Sequence, residues 1–190
     1  MVAAGFGHSG SKPVDRVLVP MSEASDAHHN AARELRATCV LLTVSDSRGA
    51  GNDQGGDLVA SRLEGAGHEL VDRRWVRDEP EEIARVLTDW LTQPELQVIF
   101  TTGGTGISRR DTTVEVVERF LDQRLDGFGE LFRALSFDQV GAAAMLSRAV
   151  GGLARGRFVF ALPGSRAAVT LALDRLILPE LPHLLWERQR

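Results

Sequence analysis

Three segments of this 190-residue chain carry the residue types that phosphate chemistry needs, and each directly follows an apolar run. They are Ser45-Asp46-Ser47-Arg48, Thr102-Gly103-Gly104-Thr105-Gly106 and Leu162-Pro163-Gly164-Ser165. Glycines let a backbone approach a ligand closely and turn its N–H groups inward, which is how a neutral loop cradles an anion. The same glycine run also suits a tight turn with no ligand. It is not a Walker A loop, because no Gly-Lys-Ser/Thr follows, and the third glycine of a dinucleotide fingerprint would fall on Arg109. Ser165 can cap a helix whose exposed first-turn N–H groups favour an anion. Asp46 either binds a polar ligand group or closes an Asx-turn.

Two further carboxylates belong to the same set. Asp78-Glu79-Pro80-Glu81 has the form of a helix N-cap with a glutamate three residues on, so Asp78 reads as a cap or as a ligand group. Asp111, between Arg109-Arg110 and Thr112-Thr113, either precedes another cap or pairs with a neighbouring arginine. Carboxylates facing bare phosphate would repel it, whereas a hard cation such as Mg²⁺ bridges the two.

The elements that must position these loops follow from periodicity. Residues 39–44 form a continuous β-forming apolar run, as a strand covered on both faces requires. A helix carrying Leu58, Val59, Arg62, Leu63 and Ala66 follows, closed by Gly67, and then a strand over 69–76. Ile83, Val86, Leu87, Trp90 and Leu91 mark a helix over about 79–92 that must pack on a sheet, which puts Trp90 in the core. A strand over 97–102 leads into the glycine run, with helices expected near 114–124, 128–137 and 138–146. A strand over 157–162 precedes a last helix with Ala168, Leu171, Ala172, Arg175 and Leu176 on one side. Alternating strands and helices predict a three-layer α/β/α fold with a mostly parallel sheet, and ligands outside the carboxyl ends of its strands. All three loops then meet at one rim.

Composition sets the outer bounds. With 43% apolar and 25% charged residues the chain suits one domain of about 150 residues with a tail. Residues 1–37 lack apolar periodicity and read as a flexible extension, within which Met21 is a candidate start, and 38–190 read as the domain. A net charge of −4 and a pI near 5.7 argue against nucleic acid as a partner. One cysteine, Cys39, allows no internal disulfide and no cysteine zinc cluster, as suits a cytoplasmic protein. No run is long enough to span a membrane, and no export signal pattern opens the chain. Of the 22 basic residues only Lys12 is a lysine, which removes Schiff-base and P-loop lysine chemistry. His8, His28, His29, His68 and His183 lack metal-ligand spacing and read as surface or tail residues, and no G-x-S-x-G elbow is present.

These motifs together resemble the MoaB/MogA family of molybdenum-cofactor biosynthesis proteins. The resemblance runs from about 39 to 185 and rests on Thr43-Val44-Ser45-Asp46, Thr102 to Gly106, Arg110-Asp111, Gly127-Phe128-Gly129-Glu130-Leu131-Phe132-Arg133, Leu146-Ser147-Arg148 and Leu162 to Ser165. It implies a homo-oligomer, a trimer or dimer of trimers, that binds molybdopterin and adenylylates it with Mg-ATP, giving adenylyl-molybdopterin and pyrophosphate. It implies that Asp78 and Asp111 are the catalytic, Mg²⁺-holding carboxylates. It also implies that Ser45, Asp46, Thr102, Gly103, Gly104, Thr105, Gly106, Arg110, Glu130, Ser147, Arg148, Pro163, Gly164 and Ser165 bind substrates. Where the family reads D-x-T-P-E, this chain has Asp111-Thr112-Thr113-Val114-Glu115, without the proline that pre-forms a helix start. The runner-up is a silent molybdopterin carrier of the same fold, and a third reading is a nucleotide-pyrophosphate hydrolase.

Overall fold

The computed structural model describes residues 35–189. The extension up to residue 34, with Lys12, Met21, His8, His28 and His29, lies outside the described residues. Leu35 packs on the core and Ala37 is buried.

The order is β1 (Thr38–Val44), α1 (Gln54–Gly65), β2 (Glu69–Val76), α2 (Pro80–Trp90), β3 (Val98–Thr102), α3 (Thr113–Phe120), β4 (Gln123–Arg124), α4 (Asp126–Val140), a 3-10 turn (Gly141–Leu146), β5 (Val150–Ala154), β6 (Arg157–Leu162), α5 (Arg166–Ala172), a π turn (Leu173–Ile177) and α6 (Leu178–Gln189). The six strands form one sheet in the order β2-β1-β3-β6-β5-β4. β2, β1, β3 and β6 run parallel, and β5 lies antiparallel between β6 and β4.

Alternation along β1 divides the core between two faces. Cys39 and Leu41 point to a cluster with Val59 and Leu63 of α1, Phe132 of α4 and Val169 of α5. Val40, Leu42 and Val44 point to the opposite cluster, with Ile83, Val86, Leu87 and Trp90 of α2 and Val114 and Val117 of α3. Both faces of the strand are therefore covered, as its unbroken apolar sequence requires. The three-layer α/β/α expectation holds. Cys39 is fully buried, and burial pushes its thiol pKa up to about 12. No helix is long and apolar enough to cross a membrane among the described residues.

Several local expectations are corrected. The helix expected to 124 ends at Phe120, because Leu121 turns extended and the Asp122 N–H donates to Leu153 O at the sheet edge, 2.8 Å away. The two helices expected over 128–146 are α4 and a 3-10 turn, broken at Gly141, whose φ is +60°. β5 was not anticipated, since Gly151 and Gly152 weaken any strand pattern. A Cβ on Gly152 would lie 2.4 Å from Gln123 O, so glycine is what lets β4 approach. The final helical stretch passes through a π turn just before Pro179, a residue with no N–H to continue the ladder. His68 is buried, not on the surface, and its Nδ1 accepts the Ala37 N–H at 3.1 Å.

Candidate functional site

The carboxyl ends of β1, β3 and β6 stand level, with Thr43 beside Thr102 and Thr102 beside Leu162. Their loops must therefore emerge side by side. The glycine turns touch: the Gly103 N–H donates to Leu162 O at 3.1 Å, and a Cβ on Gly164 would lie 3.3 Å from Gly103 Cα. Gly103, with φ +94°, also passes so close to β1 that a Cβ would sit 2.2 Å from Val44 O. Among the described residues the N–H groups of Gly104, Thr105, Gly106, Gly164 and Ser165 have no acceptor. Ser165 caps α5 as expected, its Oγ accepting the Ala168 N–H at 3.3 Å.

Above these turns opens a cavity of about 670 Å³, within the range of small-molecule sites. Its polar side is Ser45, Asp46, Ser47, Arg48, Asp78, Gly103, Gly104, Thr105, Gly106, Arg110, Asp111, Ser147, Pro163, Gly164 and Ser165. Its apolar side comes from α4, the 3-10 turn and α5, through Phe132, Val140, Ala143, Ala144, Leu146, Ala167, Ala168 and Leu171. A cavity with one charged and one apolar wall suits a ligand with a flat ring at one end and phosphate at the other.

The carboxylates tie the rim together. Asp78 does not cap α2: Glu79 holds that position without a side-chain cap bond, and the neighbouring Arg77 pairs with Glu82. The Asp78 Oδ1 reaches the loop after β3, where it accepts the Thr112 N–H at 3.0 Å and the Thr112 hydroxyl at 2.7 Å. Asp46 accepts the Asp78 N–H at 3.4 Å and an Arg110 Nη2 hydrogen at 3.2 Å. Arg110 also meets Glu79 Oε1 at 3.2 Å, so one exposed arginine spans the loops after β1, β2 and β3. Asp111 directly precedes Thr112, the N-cap residue of α3, as one reading expected; its side chain pairs with no arginine among the described residues, and its Oδ2 accepts the Ser108 N–H at 2.8 Å.

Asp53 anchors the first loop from beneath. Its side chain is wholly buried and accepts from the Thr43 hydroxyl (2.5 Å), Gly56 N (2.9 Å), Arg73 Nη2 (2.8 Å) and Trp75 Nε1 (3.1 Å). Burial by itself would raise its pKa, but the hydrogen bonds from Thr43 and Arg73 outweigh that and hold it below the ordinary value.

The residues present suit a hard cation bound together with phosphates. No group of three or more His, Cys, Asp or Glu side chains able to hold a metal occurs among the described residues. Two carboxylates at one rim, with phosphate and water oxygens completing the shell, is instead the usual arrangement for Mg²⁺. Asp78 Oδ2 accepts no hydrogen bond among the described residues, and the buried Thr113 Oγ1 beside Gly104 has no partner.

Not every expected residue faces the cavity. Thr102 is buried beneath it, its hydroxyl 3.4 Å from Thr43 Oγ1. Glu130 is exposed on α4 outside the lining, and Arg148 lies behind the loop of Thr105 to Asp111. Two contributions were not singled out from sequence. Arg48 donates to Gly164 O at 3.0 Å and joins the first and third loops, and its place in the first loop was the available signal. The apolar wall left a trace only in the helical pattern over 128–146.

Residues 40–183 match the family model described as a probable molybdopterin binding domain. The chain is 42% identical over 161 residues to the molybdenum cofactor biosynthesis protein B of Bacillus cereus, an alignment covering 84% of this chain and 94% of that protein. A crystal structure of a molybdenum cofactor biosynthesis protein B superposes with a TM-score of 0.80 at 41% identity, covering 82% of this chain and 98% of that one. The tungsten cofactor synthesizing protein MoaB from Pyrococcus furiosus superposes with a TM-score of 0.75 at 37% identity, covering 82% of this chain and 98% of its own. With the domain match, the sequence identity and the superposition all in agreement, the chain belongs to the MoaB/MogA family of molybdenum-cofactor biosynthesis proteins.

Proposed function

We propose that this protein binds molybdopterin and Mg-ATP in the cavity and transfers the adenylyl group to molybdopterin, releasing pyrophosphate. The observation that carries the reading is the row of unspent backbone donors on two touching glycine turns, set beside Asp78 and Asp111.

The difficulty of the reaction is charge. The terminal phosphate of molybdopterin is already an anion at neutral pH and attacks the α-phosphorus of ATP without a general base. One P–O bond forms, the bond to the β-phosphate oxygen breaks, and pyrophosphate leaves with that oxygen and its electron pair. Two polyanions must meet in line, so catalysis is mainly positioning and neutralisation. The N–H groups of Gly104, Thr105, Gly106, Gly164 and Ser165 receive phosphate oxygens, and Arg48 and Arg110 balance the remaining charge. Asp78 and Asp111 would hold Mg²⁺, which supplies Lewis-acid neutralisation of the phosphates. The apolar wall formed by Phe132, Val140, Leu146 and Leu171 receives the pterin.

Leu131 and Phe137 of α4 and Met145 of the 3-10 turn are exposed apolar residues outside the cavity lining. Exposed apolar surface supports self-association, and we read the protein as a homo-oligomer.

Pyrophosphate release with purified molybdopterin and Mg-ATP tests the reaction. Asp78→Ala is expected to keep molybdopterin binding and lose transfer. Wild-type turnover in that variant refutes the assignment, and molybdopterin binding by the wild type without pyrophosphate release identifies a silent carrier instead.

A further inference from the structure

We propose that Arg148 is a positioning residue for this reaction: its guanidinium staples the neck of the loop that carries Asp111 and so sets where that carboxylate stands at the rim. The inference rests on the adenylyl-transfer reading, in which Asp111 helps to hold the cation.

Arg148 follows the 3-10 turn and precedes β5, yet all three of its nitrogens are engaged on the segment after β3 or on α3. Nε donates to Thr105 O at 3.4 Å, Nη2 donates to Asp111 O at 2.9 Å, and Nη1 pairs with Glu115 of α3. The two carbonyls flank Gly106–Arg110, so one planar cation closes that loop across its base. A guanidinium suits the task because its donors sit in a rigid fork, whereas a lysine offers one point charge.

Within the loop the Asp111 N–H donates to Ser108 O at 3.0 Å, and the Ser108 N–H donates to Asp111 Oδ2 at 2.8 Å. A Cβ on Gly106 would meet that same Oδ2 at 2.8 Å, which shows how closely the carboxylate is folded onto the loop. The side chain of Asp111 is thus aimed by Ser108 and its main chain by Arg148. Arg148 lines a separate hollow with Ser108, Arg109, Asp111, Thr112 and Glu115 and does not line the main cavity. It acts on the site through Asp111, not by touching a phosphate.

The test uses the full chain as wild type, Arg148→Lys and Arg148→Ala, below their unfolding temperatures. Mn²⁺ affinity in the presence of ATP is measured by electron paramagnetic resonance. The Mg²⁺ dependence of pyrophosphate release and the KM values for ATP and molybdopterin are measured alongside. Both variants are expected to need about tenfold more Mn²⁺ and Mg²⁺, the scale seen when a metal ligand loses its support. The KM for molybdopterin should stay unchanged, and kcat should recover at saturating Mg²⁺. Unchanged metal dependence overturns the proposal, either with a raised KM, which makes Arg148 a substrate contact, or with only a lowered melting temperature, which makes it a stability residue. Should the wild type release no pyrophosphate, the adenylyl-transfer reading fails, while the Mn²⁺ titration still decides the staple. Equal Mn²⁺ binding in all three proteins, or none in the wild type, overturns it.

Discussion

Replacing Gly104 by alanine should damage the site at its most crowded point. The added Cβ would lie 2.1 Å from Thr113 Oγ1 and 2.5 Å from Asp78 Oδ2, and Gly104 sits at φ +62°. The left-handed conformation costs an alanine about 1–2 kcal/mol. Thr113 is fully buried, so the Asp78 carboxylate must move, and it then gives up its bonds to the Thr112 N–H and hydroxyl. Losing hydrogen bonds to a charged group costs a further ~1.5–3 kcal/mol. The sum, roughly 2.5–5 kcal/mol, corresponds to a melting temperature lower by roughly 5–20 °C for a domain of this size. Thermal unfolding by circular dichroism measures it, with Gly49→Ala as the control, since a Cβ there meets nothing within 4 Å and needs no unusual backbone. The control should stay within about 0.5 kcal/mol of wild type. A Gly104→Ala protein that melts with the control and retains full pyrophosphate release would refute the geometry drawn here for Asp78.

Three other outcomes follow from packing and charge. Gly65→Ala, on the exposed last residue of α1 with open space around it, should stabilise the fold by about 0.5–1 kcal/mol in urea denaturation, and destabilisation would count against the α1 boundary. Because the folded-state pKa of Asp53 is lowered, its contribution is complete above the ordinary aspartate range near 3.9 and fades as pH falls through the folded value. Asp53→Asn should therefore lower the urea midpoint at pH 7, and the gap to wild type should narrow in acid; a gap constant with pH refutes this. Phe137→Glu with Met145→Glu should convert an oligomer to a smaller species in sedimentation while leaving the circular dichroism spectrum intact, because both side chains are exposed on the chain itself, at 60% and 77%. An unchanged sedimentation coefficient would remove those two side chains from any interface.

Much of the architecture was legible because it is written in local periodicity. The run from Cys39 to Val44 could only be a strand covered twice, and the stripe from Ile83 to Leu91 could only be a helix lying on a sheet. Parallel strands then obliged the three glycine- and serine-rich loops to share a rim, and the touching Gly103 and Gly164 turns follow from that. The third loop behaved as expected down to the Ser165 cap. The motifs themselves carry the resemblance to the family.

What the sequence by itself determined was therefore the four parallel strands and the helices that cover them, which faces are buried, and at which edge the ligand chemistry gathers. The tertiary structure decided the partnerships. Asp78 looks like a local helix cap, yet it binds Thr112, 34 residues away, and Arg148 looks like a substrate contact, yet it holds carbonyls 43 and 37 residues upstream. β5 carries no strand pattern because its two glycines are there to admit β4 and two phenylalanine rings, a demand set by neighbours distant in the chain. Periodicity reports the backbone and the face a side chain occupies, but a carboxylate or guanidinium takes whichever donor or acceptor the crossing of loops brings within about 3 Å.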